Sequence, residues 1–178
     1  MNIRRGILTF SAVFFLICQI TYATPIPSTG TTEVFFSPNG GATEAVVREI
    51  GRARQEVLVQ AYSFTSKPIA KALLDAHRRG VIVVAVLDKS QRTQKYSGAT
   101  FLANAGIPVY IDSQHAIAHN KVMIIDRQKL ITGSFNFTKA AEEKNAENLL
   151  VLKGNPTLVE RYLKNFEEHR GHSEPYSR

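Results

Sequence analysis

The sequence predicts an α/β fold in which a mixed β-sheet is sandwiched by helices. Three observations carry that expectation. Short apolar runs with strand character alternate with amphipathic stretches of helical period over most of the chain. Val81 to Leu87 is a continuous run rich in β-branched residues, the pattern of a strand covered on both faces. Two further runs, Ala118 to Ile125 and Leu130 to Thr132, are separated only by the polar Asp126-Arg127-Gln128-Lys129, so at least one strand pair is an antiparallel hairpin.

Residues 1–23 read as a secretory signal peptide. Arg4 and Arg5 form a basic start, Ile7 to Ile20 an apolar stretch short of the ~20 residues of a membrane span, and Thr21-Tyr22-Ala23 a cleavage site. Cleavage leaves 155 residues, one domain's worth, and lowers the net charge from +7 to +5. It also removes Cys18, the only cysteine. The secreted chain, periplasmic or extracellular, then has neither disulfide nor thiol, and its apolar core must hold it.

Residues 24–32, rich in Pro, Ser and Thr, are expected as a loose leader, 33–170 as a single folded domain and 171–178 as a polar tail. Glu33 to Phe36 reads as a short strand. Ala42 to Arg54 reads as a helix with Ala42, Ala45, Val46, Ile50 and Ala53 on one stripe, and Val57 to Tyr62 as a strand. Ser66 opens a helix with Pro68 in its first turn, Ile69, Leu73 and Ala76 inward, and Gly80 at its end. The strand Val81–Leu87 leads into a polar, basic stretch from Asp88 to Gly98. A helix from Ala99 to Ala105 ends at Gly106, and Ile107 to Ile111 forms a strand before the hairpin. Behind the hairpin come a short helix (Thr138–Lys144), a strand (Asn148–Leu152) and a last helix. That helix has Asn155 as N-cap, Pro156 at its first position and an apolar stripe of Leu158, Val159, Tyr162, Leu163 and Phe166. No internal repeat is present.

The hairpin holds the chemistry. If Asp126 faces Lys129, His119 lies opposite Asn136 and Lys121 opposite Ser134. Residues two apart on a strand share a face, as do directly opposed residues. One patch then carries an imidazole, an ammonium, a hydroxyl and a carboxamide. A lone His or Lys on a strand is usually structural. Four convergent polar groups, whose face continues as apolar Met123 and Ile125, suit the handling of phosphate. Asp126 is an odd number of residues from His119 and about 23 Å away along an extended strand, so it reads as a turn or packing carboxylate.

Metal ligands do not form a set in the sequence. His115 and His119 have helical i, i+4 spacing in a strand-like segment, about 13 Å apart if extended, and no HExxH occurs. Glu142-Glu143-Lys144 reads as a solvated helix face, and Asp88 stands alone at a strand end. His77 falls in a helix, while His169 and His172 fall in or near the tail.

His119-Asn-Lys121, four residues and Asp126 match H-x-K-x4-D; Gly133-Ser134-Phe-Asn136 matches G-[ST]-x-N; Asn145-Ala-Glu147 matches N-x-E. In these three ordered motifs the chain resembles the phospholipase D superfamily. With one motif copy and a short length, it is similar to the family's secreted bacterial endonucleases of the Nuc type. The resemblance implies a phospholipase D-like α/β/α fold and a phosphodiesterase that needs neither metal nor cofactor. It implies His119 as nucleophile, Lys121 and Asn136 holding phosphate oxygens with Ser134 assisting, and Glu147 as the carboxylate that orients the imidazole. Where the superfamily carries the motif twice, both copies meet in one site, so a single copy implies a homodimer.

The basic balance, and Lys89, Arg92 and Lys95 with Tyr96 beside them, suit a DNA or RNA backbone; an ordinary solvated loop has the same composition. No apolar lid or basic amphipathic helix is present to draw an acyl chain from a bilayer, so no stable membrane association is expected. Nor is there a base-reading module. The expectation is a secreted, sequence-non-specific endonuclease. Phospholipase D-type lipid hydrolysis is the alternative, and nucleic-acid binding without turnover a third.

Overall fold

The continuous apolar runs become the inner strands of one sheet. The computed structural model describes residues 23–93 and 98–177, so the expected signal segment (Ala23 apart) and the expected Lys95 and Tyr96 lie outside the described residues. In chain order the elements are β1 (Thr31–Ser37), α1 (Ala42–Gly51), β2 (Glu56–Ala61), α2 (Lys67–Arg78), β3 (Ile82–Asp88), a 3-10 turn (Lys89–Arg92), α3 (Gly98–Asn104), β4 (Val109–Asp112), β5 (Lys121–Ile125), β6 (Lys129–Gly133), α4 (Lys139–Glu143), β7 (Glu147–Lys153), α5 (Pro156–His172) and β8 (Glu174–Pro175). The sheet order is β1-β7-β6-β5-β2-β3-β4-β8. Strands β2, β3 and β4 run parallel, and the remaining pairs are antiparallel. This is the mixed α/β architecture the sequence predicts.

Side-chain alternation along the inner strands divides the core between two helical layers. Val57, Val59, Val83, Ala85 and Leu87 join Val46, Ile50 and Leu73 of α1 and α2. On the opposite face Leu58, Val84 and Val86 meet Val159, Leu163 and Phe166 of α5. Each large side chain buried this way contributes about 1.5–3 kcal/mol. Asn155 caps α5 as expected, its Oδ1 accepting from the Leu158 N–H at 3.1 Å, with Pro156 in the first turn. Among the described residues no helix is long and apolar enough to cross a membrane.

Four expectations need correction. The hairpin register is shifted by one: Ile125 faces Lys129, and the loop is the three residues Asp126, Arg127 and Gln128. Asp126 and Arg127 both take left-handed backbone, at φ 53 and 52. Asp tolerates that conformation, and its carboxylate is held by neighbouring backbone. Second, residues 118–120 are not strand; β5 starts at Lys121, so His119 sits at the end of a loop.

Third, the expected tail is docked. α5 continues to His172, and β8 pairs with β4 through Tyr110–Pro175 and Ile111–Glu174. Two residues, one of them Pro, carry no periodicity from which this strand could be read. Fourth, the expected loose leader is tied down from Pro27 onward. Asn155 Nδ2 donates to the Pro27 carbonyl, Thr29 Oγ1 donates to that of Gly154, and Thr31 and Thr32 already belong to β1.

Candidate functional site

The motif residues gather where β2, β3 and β4 end and β5 and β7 begin. A loop from β4 to β5 delivers His119, and each of its anchors is visible. The Gln114 N–H donates to Asp112 Oδ1 at 3.1 Å, and Lys89 Nζ donates to the His115 carbonyl at 3.1 Å. The Ala118 N–H donates to Asp88 Oδ2 at 2.8 Å, and the Tyr62 N–H to the Asn120 carbonyl at 3.0 Å. Asp88 is thus a loop anchor. The His119 side chain is exposed, and its ring leans on Tyr62 with centroids 4.6 Å apart and planes tilted by 52°.

Lys121, facing Ala61 of β2, is only 7% exposed. Its ammonium donates to the His119 carbonyl at 2.8 Å and lies 5.1 Å from the centre of the Tyr62 ring. Burial pushes its pKa below the usual lysine value, and the negative charge of Glu147 opposes that shift. Among the described residues no carboxylate lies within ion-pair distance of this ammonium. A nearly buried cation in that state is poised to meet an anion.

The second half of the site follows β6. The corrected hairpin register would align Lys121 with Gly133 and His119 with Phe135, and turn Ser134 and Asn136 away. A local irregularity intervenes beyond the last paired residue. The Ser134 and Phe135 N–H groups both donate to the Asn148 carbonyl, each at 3.1 Å, the pattern of a β-bulge. Gly133 has φ 145, and a Cβ there would collide with the same carbonyl oxygen, so the position requires glycine.

The chain then passes beside β2, where Phe64 bridges Phe137 and the Thr65 and Ser66 N–H groups donate to the Phe137 carbonyl. Asn136 stands between the fully buried Phe135 and Phe137, and its own Oδ1 is buried without a hydrogen-bond partner. Ser134 Oγ accepts from the Asn148 N–H at 3.0 Å, which leaves its proton free to donate. Glu147 opens β7 opposite Ser37 and accepts from Asn145 Nδ2 at 3.2 Å. No hydrogen bond among the described residues joins it to His119. Within one chain its charge is felt at Lys121 instead.

Asp126 lies at the far end of the hairpin. Its carboxylate accepts from the backbone N–H groups of Arg54, Gln55 and Glu56 at 2.8–3.1 Å, fastening the hairpin loop to the start of β2. It is a structural member of the motif. The basic stretch is also engaged within the fold: besides Lys89 on His115, Arg92 pairs with Glu174 at 2.7 Å. Tyr62, which touches both His119 and Lys121, carries no signal in the sequence, because only the β2–β5 pairing brings it there. The histidines that sequence spacing scatters are likewise brought together: His115, His169 and His172 surround Asp112.

Comparison with known proteins places this geometry. The family model described as "Cardiolipin synthase, PLD-like domain" matches residues 46–170. A phospholipase D of Rickettsia typhi is 42% identical over 145 residues, covering 82% of this chain and 71% of the relative. Of four other Rickettsia proteins with that name, the chain spans 63–65%. Among solved structures, Nuc from Salmonella typhimurium, described as a phospholipase D family member, superposes with a TM-score of 0.80. It is 40% identical over 83% of this chain and 99% of that one. NucT from Helicobacter pylori shares the fold, with a TM-score of 0.76 at 24% identity over 82% of this chain and 99% of that one.

Proposed function

The chain belongs to the phospholipase D-like family, and from that premise we propose that it is an exported, metal-independent endonuclease without sequence preference, working at a site shared by two chains. The observation that supports this best is the Lys121 ammonium, nearly buried and without an ion-pair partner among the described residues, with the exposed ring of His119 against the same Tyr62. That pairing suits a phosphodiester: a nucleophile open to solvent, and a fixed positive charge for the non-bridging oxygens.

In the first step an imidazole nitrogen of His119 attacks phosphorus. The N–P bond forms as the P–O bond to the leaving alkoxide breaks, and that oxygen takes a proton from a general acid. In the second step water attacks phosphorus, gives its proton to the resulting base, and the N–P bond breaks. Lys121, Asn136 and Ser134 hold the oxygens through both steps, and the negative charge of Glu147 partly offsets the burial of Lys121 and helps keep it protonated. The acid and base role falls to the His119 of a second copy, since this chain carries the motif once. Export through a cleaved signal, to a periplasm or beyond the cell, rests on residues 1–23.

Similarity in fold and sequence to Nuc supports nucleic acid as the substrate. The name phospholipase D on the Rickettsia relatives supports the second reading, a lipid phosphodiesterase. Offering the purified protein circular DNA and phospholipid vesicles in parallel, both in EDTA, separates them. The proposal expects nicked DNA and intact lipid. Lipid cleavage without nicking selects the second reading, and DNA retention without nicking selects binding alone. Turnover abolished by EDTA and restored by Mg²⁺ would overturn the metal-free mechanism.

A further inference from the structure

Four residues that the phosphodiester chemistry does not use come together where β4 ends against the last turn of α5. Asp112 is fully buried. His169 Nδ1 lies 2.6 Å from its Oδ2, His115 Nδ1 3.1 Å and His172 Nε2 3.3 Å. The three rings contact one another, with centroids 4.8–5.3 Å apart. One ligand atom from each of the four residues lies within 4.8 Å of the others.

A buried carboxylate needs a compensating positive charge. Among the described residues no Lys or Arg pairs with Asp112; only the three imidazoles do. A single divalent ion held between the carboxylate and the three ring nitrogens supplies that charge. His169 and His172 also occupy the C-terminal end of α5, where the helix dipole favours a cation.

We infer that Asp112, His115, His169 and His172 form a structural site for a transition-metal cation of the Zn²⁺ type. The donor set decides the class: three imidazole nitrogens and one carboxylate oxygen suit Zn²⁺, whereas Ca²⁺ and Mg²⁺ favour all-oxygen shells. Four protein ligands fill a tetrahedron and leave no open position for substrate, the arrangement of a structural centre. Bond lengths of about 2.0–2.1 Å put tetrahedral ligands about 3.3 Å apart. The widest separation, 4.8 Å, must therefore contract, and the side chains of His115 and His172, 46% and 29% exposed, have room to turn inward.

The sequence carries the site as two pairs of equal spacing, Asp112-x2-His115 and His169-x2-His172. The first lies on the loop that delivers His119, and the second on the final helix. The ion thus clamps the loop before the proposed nucleophile onto α5 and the β8 edge. It contributes rigidity and takes no part in the chemistry.

The test uses protein stripped with chelator, titrated with Zn²⁺ and, separately, with Co²⁺. One equivalent of Zn²⁺ per chain is expected to bind and raise Tm, since a ligand of the folded state stabilises it by mass action. Co²⁺ is expected to give the intense visible absorption of a four-coordinate site. His115→Ala removes a half-exposed ligand without disturbing the core, so the variant folds and its affinity should fall by about tenfold or more. Replacing His169 and His172 together should abolish the Co²⁺ band, while His77→Ala, outside the cluster, should leave it intact. Zn²⁺ that fails to bind at one equivalent, or a Co²⁺ spectrum unchanged in His115→Ala, would overturn the site. None of these readouts involves nuclease or lipid turnover, so the inference stands or falls apart from the proposed activity.

Discussion

At the scale of residues, the proposed mechanism divides the linear motif into groups that act and a group that holds. His119→Ala is expected to abolish both turnover and covalent capture of a phosphodiester, measured by acid-quenched labelling. Lys121→Ala removes the charge that the proposed mechanism aims at the phosphate and should cut turnover by about 10²–10³, the worth of one preorganised donor. Asp126 gives the opposite pattern. Its carboxylate satisfies three backbone N–H groups at the entry to β2 and sits at φ 53. Asp126→Ala should cost about 1–3 kcal/mol by denaturant unfolding, from stranded donors and lost left-handed tolerance. Turnover well below the melting temperature should change little; a folded Asp126→Ala protein as inactive as His119→Ala would contradict this division. The motif residues were legible because their spacing is local. Tyr62 and the Asp112 cluster were not, because contacts between distant segments leave no periodic trace.

At the scale of elements, the end of the sheet opposite the site is fastened by a buried charge. Glu49 of α1 is fully buried and meets Lys129 of β6 at 3.1 Å and Lys153 of β7 at 3.0 Å, with Arg48 beside it at 3.1 Å. Burial alone would raise its pKa, but hydrogen bonds from Lys153 and Arg48 and the ion pair with Lys129 win and hold it at about 2. A carboxylate depressed from 4.5 in the folded state contributes stability that is fully present above the unfolded value. Stability should therefore fall as pH drops from about 4.5 towards 2, and Glu49→Gln should flatten that part of the profile. The same substitution leaves Lys129 without its carboxylate, while Lys153 keeps Glu33 at 2.6 Å, and is expected to cost about 3 kcal/mol at neutral pH, at the low end for a broken buried pair because both lysines reach solvent. Glu49 falls outside the apolar stripe that predicts α1, so the sequence shows the helix and not its partner. The hairpin teaches the same lesson. Its existence was written in two apolar runs around a polar turn, while its register depended on left-handed Asp126 and Arg127 and on the bulge after Gly133.

At the scale of the whole molecule, the alternation of strands and helices was enough to predict a mixed sheet between helical layers. The order β1-β7-β6-β5-β2-β3-β4-β8 was not, since three of its seven neighbour pairs, β1-β7, β5-β2 and β4-β8, join strands that are distant in the chain. That order turns a linear motif into a site at one edge of the fold, with His119 exposed and one copy of each group. The central claim is that two such copies make one catalytic centre. Wild-type and His119→Ala chains can be mixed in known ratios and refolded together so that dimers form at random. If each centre needs both imidazoles, activity per total protein should fall as the square of the wild-type fraction. A linear fall, or a monomer that keeps full activity in the ultracentrifuge, would contradict it.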